Sequence, residues 1–274
     1  MRIEEFLADE SEKPLDRMPP DGGFCGILRS IACIGDSLSS GEFEAVDEAG
    51  NRTYHDMFEH SWGQYLARLA GCRVLNFSRG GMTAKEYMES FAEANGFFDP
   101  DRACAAYILA LGVNDLYHRV PCFGSLDDVR ADWRENGKSF AGYYAAIVAR
   151  YREICPDARF FFMTLPREGL SHEKEELADR HAAFLYALSA QTPHSYVIDF
   201  RRYGPDYDET FRKNFFLSGH LSPAGYLLTA RMTAAYIDYI IRHNMRDFKQ
   251  VGFIGTPWKN CEDGRIGSDR AGKC

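Results

Sequence analysis

Five short apolar runs punctuate the chain, at residues 31–34, 74–77, 105–111, 160–165 and 196–200. Each is four to seven residues long, and most lack a strict in-out alternation. That pattern predicts strands buried on both faces, as in a parallel sheet. Between the runs lie segments with helical periodicity. One covers about 61–70 and another starts near Thr83. A third carries Phe140, Tyr144, Ile147, Val148, Tyr151 and Ile154 on one stripe and ends before Pro156. A fourth carries Leu177, Phe184, Leu185 and Leu188. The last opens at Ser222-Pro223, a cap followed by proline at the first helical position, and runs to about His243. Strand-helix alternation of this kind predicts an α/β doubly wound sheet with its chemistry at the carboxyl ends of the strands. The polar first 24 residues, with Pro14, Pro19 and Pro20, read as an extension on the surface. Residues 251–254 read as an extra strand or a packing arm, and the glycine-rich stretch from Thr256 as a loosely held polar tail. The expected division is therefore an extension over 1–24, one domain over 25–255 and a tail over 256–274.

Composition narrows the function. The 274 residues are 45% hydrophobic and 26% charged, an ordinary globular balance. A chain of this length buries roughly three quarters of its unfolded surface and needs no disulfide or metal staple. Lys plus Arg is 32 against 40 for Asp plus Glu, a formal net charge of -8. That sign argues against nucleic acid and anionic membrane as main partners. No run of 18 apolar residues is present, and the acidic N-terminus lacks the apolar core of a secretory signal. The eight cysteines are scattered without a Cys-x-x-Cys. They read as reduced thiols of a cytoplasmic protein, with no zinc site and no other cofactor.

The expected strand ends hold the candidate chemistry. The first run leads into Gly35-Asp36-Ser37-Leu38. The second is followed by Asn76, Arg79, Gly80, Gly81 and Thr83. The third leads into Gly112-Val113-Asn114-Asp115. After the fifth come Gly219, His220 and Ser222-Pro223. A parallel sheet brings all four places to one rim. A serine nucleophile, a histidine that takes and returns its proton, a loop glycine that bares a backbone N–H and an asparagine amide are the parts needed for acyl transfer.

These four blocks, in this order, resemble the GDSL or SGNH hydrolases from about Phe24 to His243. The first and third blocks are full matches. The resemblance implies a flavodoxin-like three-layer α/β/α sandwich with a five-stranded parallel sheet, and hydrolysis of esters or thioesters without a metal. It implies Ser37 and His220 as catalytic residues. The oxyanion hole would come from Ser37, Gly81 and Asn114, with Gly80 as the alternative to Gly81. Asp36 and Asp115 are expected to order their loops rather than to act as acids.

One position departs from the family pattern. The aspartate usually found three residues before the histidine is Leu217 here. Three readings stand open. His220 is oriented by a main-chain carbonyl. An acid comes from elsewhere, with Asp199 as first candidate and Asp206, Asp208 and Glu209 behind it. Or activity is weakened, leaving a ligand-binding protein. Two stretches, 42–60 and 117–133, stand as pocket-building or plain surface loops. Arg79 stands to bind an anionic group of the substrate or to pair with a nearby acid. The expected activity is removal of a short acyl group, acetyl above all, from a small-molecule ester such as an acylated carbohydrate. The alternative is a thioesterase or lysophospholipase activity.

Overall fold

A computed structural model describes residues 3–9, 11–118 and 122–258. In chain order its strands are β1 (Ser30–Gly35), β2 (Glu42–Val46), β3 (Arg52–Asp56), β4 (Arg73–Asn76), β5 (Ala106–Ala110), β6 (Arg159–Met163), β7 (Ser195–Ile198), β8 (Phe216–Leu217) and β9 (His220–Leu221). Five of them form one sheet in the order β4-β1-β5-β6-β7, every pair parallel. All five apolar runs thus become strands of a flavodoxin-like sheet. The order reverses direction between β1 and β5, and that switch point opens a crevice at the carboxyl ends of these two strands.

Strand periodicity explains the lack of alternation in the runs. Ala32, Ile34, Tyr107, Leu109, Phe160 and Phe162 point into one core, under the helices Phe140–Ile154 and His172–Gln191. Their neighbours Ile31, Cys33, Ala106, Ile108, Phe161 and Met163 point into the other. That second core lies under Trp62–Ala70 and Pro223–His243. Both faces are dry, so both sets of residues are apolar. Ser61 and Ser222 cap the two helices of the second layer by accepting from Gln64 N and Gly225 N. Leu66, Tyr226, Ala230 and Ile237 bury the faces that meet.

Two expectations are refined, and a third lies outside the described residues. Residues 251–253 form a turn of 3-10 helix with Val251 fully buried, so this segment is a packing arm and not a strand. The polar tail lies outside the described residues from position 259 on. The stretch after Ser40 is not a loop. Its residues 42–46 and 52–56 pair as an antiparallel hairpin, β2 with β3. The turn is built by Asp47, whose carboxylate accepts from the backbone N–H groups of Ala49 and Asn51.

The N-terminal extension is fastened by charge. Arg242, buried on the last long helix, donates to Asp238, to both oxygens of Glu12 and to the Leu7 carbonyl. Asp238 in turn accepts from Phe24 N. Removing the guanidinium would take from Asp238 and Glu12 the buried cation they share, leaving Glu12 with the exposed Arg17 at 3.6 Å. Arg242→Ala should therefore lose about 3–5 kcal/mol of stability. Urea denaturation, together with faster proteolysis ahead of residue 24, would check this; an unchanged midpoint would contradict it.

Candidate active site

The nucleophile candidate sits on a turn fixed at both ends. Asp36 ends β1 and its carboxylate accepts from Leu38 N at 3.1 Å, which starts the helical turn Ser37–Ser40. Gly41, with φ at 80°, ends it in a left-handed conformation that a side chain would strain. Burial pushes the Asp36 carboxyl up to about 6, partly offset by the Leu38 N–H and by the charge of His220.

The other expected parts converge on this turn. Asn114 follows β5, and its amide nitrogen lies 3.2 Å from the Met82 carbonyl and 3.4 Å from Asp36 Oδ2. It thus joins the loop that holds Gly81 to the turn that holds Ser37. Gly81 has φ at 70°, again the left-handed region. Asp115 receives Ala84 N on both carboxylate oxygens. Both Asp36 and Asp115 order their loops by hydrogen bonds. Behind Asn114, His181 is fully buried, and burial lowers its pKa to about 4. The neutral ring can only donate to the Leu111 carbonyl, 3.2 Å from Nε2. The same ring lies so close to Gly112 that a Cβ there would stand 2.9 Å from Nε2. Glycine at 112 is required on that ground and by its φ of 144°.

His220 opens β9, and its two ring nitrogens face two carboxylates. Nδ1 lies 2.7 Å from Glu44 Oε1, and Nε2 lies 3.1 Å from Glu42 Oε1. Both acids come from β2, more than 170 residues before His220. The group on Nδ1 is therefore a carboxylate, neither a main-chain carbonyl nor Asp199. Asp199 lies at the end of β7, where it accepts from Thr164 Oγ1, Tyr186 OH and Arg202 N. Those three donors use its oxygens and fix the start of a short helix. Asp208 caps the next helix through Phe211 N, Glu209 pairs with Lys213, and Asp206 lies 4.0 Å from Arg167. Leu217, at the family's usual aspartate position, has a side chain 46% exposed.

Sequence reasoning missed Glu44 because nothing local marks it. The available signal was the alternation of residues 42–46 followed by a turn sequence, which marks a hairpin between the nucleophile and the next helix. The hairpin is held in place at several points. Ser40 Oγ donates to Asp56 at 2.6 Å, Met57 N to the Gly41 carbonyl, and Tyr226 OH to the Glu42 carbonyl. Glu44 itself accepts from Gly219 N at 3.0 Å, and its second oxygen pairs with Arg52 at 3.2 Å. Tyr54, directly across the hairpin from Glu44, meets the His220 ring edge to face. Arg79 pairs with Glu86 and covers the Phe91 ring, the second of its two expected roles. Trp133 donates to Glu153 on the Phe140–Ile154 helix. It lines a surface hollow of about 520 Å³ with Tyr143 and Arg150 rather than the rim of the crevice.

Comparison with known proteins now decides the family. The model of the GDSL-like lipase/acylhydrolase family matches residues 33–228. The chain belongs to that family. It is by that membership a carboxylic ester hydrolase. No curated protein matches the sequence. Solved structures share the fold. A family two carbohydrate esterase from Clostridium thermocellum, in complex with cellohexaose, is 16% identical with a TM-score of 0.56, over 78% of this chain and 64% of that one. A family 2 carbohydrate esterase with a carbohydrate-binding domain, from Corynascus thermopiles (Myceliophthora fergusii), is 17% identical with a TM-score of 0.52, over 76% and 65%. The psychrotrophic esterase EstA from Pseudoalteromonas sp. is 14% identical with a TM-score of 0.51, over 78% and 98%. Among the described residues no helix is long and apolar enough to cross a membrane.

Glu44 is held below the ordinary carboxylate range of about 4.5. Burial pushes it up, but hydrogen bonds from His220 and Ser218 and the charges of Arg52 and His220 outweigh that. A carboxyl whose pKa falls on folding stabilises the fold above its unfolded value, and that contribution disappears as the pH drops through the lowered one. Glu44→Gln should thus be less stable than the parent at pH 7, and the gap should be smaller in acid well below the ordinary value of 4.5. Urea midpoints at pH 7 and in acid provide the check; a gap that persists undiminished in acid would contradict the assigned ion pairing.

Proposed function

We propose that the protein is a serine esterase that removes a short acyl group, acetyl above all, from an alcohol oxygen. The observation that carries this reading is the 2.7 Å contact between His220 Nδ1 and Glu44 Oε1. It supplies the carboxylate that the sequence lacks at position 217, and so favours a working base over a weakened one.

The chemistry follows from the placement of each part. With Nδ1–H donating to Glu44, His220 is held in the tautomer whose Nε2 lone pair can accept a proton. Ser37 Oγ gives its proton to Nε2 as it bonds to the ester carbonyl carbon. The carbonyl oxygen becomes an oxyanion, stabilised by the backbone N–H groups of Ser37 and Gly81 and the Asn114 amide. When the tetrahedral species collapses, Nε2 returns the proton to the alcohol oxygen, the C–O bond breaks and the alcohol leaves. Water then repeats the sequence against the acyl-serine. Its proton goes to Nε2, its oxygen bonds to the acyl carbon, and the Ser37 oxygen leaves with the proton as the acid departs. Glu44 remains ionised throughout and stabilises the imidazolium of each step.

The fold shared with two carbohydrate esterases favours an acylated carbohydrate as the substrate. The hydrolase thus needs neither cofactor nor metal in this reading.

Ser37→Ala should abolish turnover of p-nitrophenyl acetate and labelling by a fluorophosphonate. Glu44→Ala should lower kcat by roughly 10³–10⁴, the range seen when a triad acid is lost. Asp199→Asn should leave kcat within a few-fold. Steady-state kinetics on the three purified variants test the assignment. Equal losses in Glu44→Ala and Asp199→Asn would remove its basis, and a marked preference for long acyl chains would sink the acetyl reading.

A further inference from the structure

Glu42 has no part in the steps above, yet it holds the atom on which they turn. Its side chain is 16% exposed and its Oε1 lies 3.1 Å from His220 Nε2. With the Nδ1 proton donated to Glu44, this second contact needs one more proton between Nε2 and Oε1. Either the ring is an imidazolium donating to both acids, or a Glu42 carboxyl donates to a neutral ring. Both states occupy the lone pair that would accept the Ser37 proton. The other oxygen of Glu42 reaches the oxyanion loop, because a Cβ on Gly80 would overlap Oε2. The carboxylate therefore spans the gap from the base to the Gly80–Gly81 backbone.

That gap is where the alcohol must lie, on the reading of Ser37 and His220 given above. The ester carbon sits on Ser37 Oγ, its carbonyl oxygen faces Gly81 and Asn114, and its alcohol oxygen must face Nε2 to be protonated. We propose that Glu42 determines which alcohol the enzyme accepts, selecting alcohols that carry hydrogen-bond donors and no negative charge. On entry of the ester, the proton shared between Nε2 and Oε1 passes to water, Nε2 is left free, and the Glu42 carboxylate accepts hydrogen bonds from hydroxyls next to the leaving oxygen. An anionic alcohol meets repulsion instead. The surroundings reinforce this. Asp56 lies opposite Glu42 on the hairpin, and Asp36 and Glu44 add two further acids. The nearby cations are committed, Arg52 to Glu44 and Arg79 to Glu86. A neutral polyol fits such a site. An alcohol or thiol bearing phosphates does not.

The test uses aryl acetates of similar shape and different charge: 4-acetamidophenyl acetate, 4-acetoxybenzoate and 4-(trimethylammonio)phenyl acetate. The parent enzyme should turn over the anion with the lowest kcat/KM of the three. Glu42→Gln should raise the ratio of anionic to neutral kcat/KM by about tenfold, the scale of one charge a few ångströms away in a partly solvated site. Glu42→Ala should shift it in the same direction, and added salt should shrink the parent's discrimination. A ratio unchanged within twofold in both variants, or a parent that prefers the anion, would overturn the proposal. Ser37→Ala is assayed beside them. If it is inactive while the ratio in the Glu42 variants stays put, only the role of Glu42 fails. If it stays active, the nucleophile assignment fails and the selectivity argument with it.

Discussion

One hydrogen bond joins the two halves of this active site. His220 arrives on a two-residue strand at the end of the chain's catalytic region, and Glu44 arrives on a hairpin inserted directly after the serine turn. Neither element belongs to the central sheet. Their contact fixes the imidazole only if both are placed to within a fraction of an ångström, since a hydrogen bond weakens steeply with misalignment. The rest of the local structure meets that demand. Ser40 and Gly41 fasten the base of the hairpin, Tyr226 ties it to the last long helix, and Gly219 N–H and Arg52 hold the carboxylate itself.

The same hairpin concentrates negative charge. Glu42, Glu44 and Asp56 stand beside Asp36, and burial or mutual repulsion raises Glu42 and Asp36 above their ordinary values. Glu44, unlike Glu42, is pulled down, because it has His220, Ser218 and Arg52 as partners. Two acids two residues apart on one strand thus have opposite environments. Divergence of this kind suits the two tasks proposed for these residues, an anion behind the base and a displaceable carboxylate in front of it. The net charge of -8 takes a local meaning here, since part of it is gathered around His220.

Much of this was legible along the chain. The five strands announced themselves by dense apolar runs, because a strand buried on both faces needs apolar residues at successive positions. Ser37, Gly81 and Asn114 stood just past the ends of such runs, where backbone groups are free to turn, and His220 stood before the capped last long helix. The loop-ordering duty of Asp36 and Asp115 was equally readable, since a short carboxylate next to a turn finds backbone donors close at hand. The arm at residues 251–253 was ambiguous because four apolar residues pack equally well as a strand or as a turn against a core.

The acid was not legible. Leu217 showed that it was absent from its usual place, and sequence proximity to β7 and His220 drew attention to Asp199, which the fold spends on Thr164, Tyr186 and Arg202 instead. Local physics, read residue by residue, determined the sheet, the order of its strands' chemistry and all four rim positions as candidates for one reaction. Only tertiary structure decided which of 40 acidic residues meets His220, because a hairpin's exit angle and its anchoring contacts are set by elements more than a hundred residues away. A solvent-facing strand with alternating glutamates looks the same in a sequence whether it points into water or into an active site.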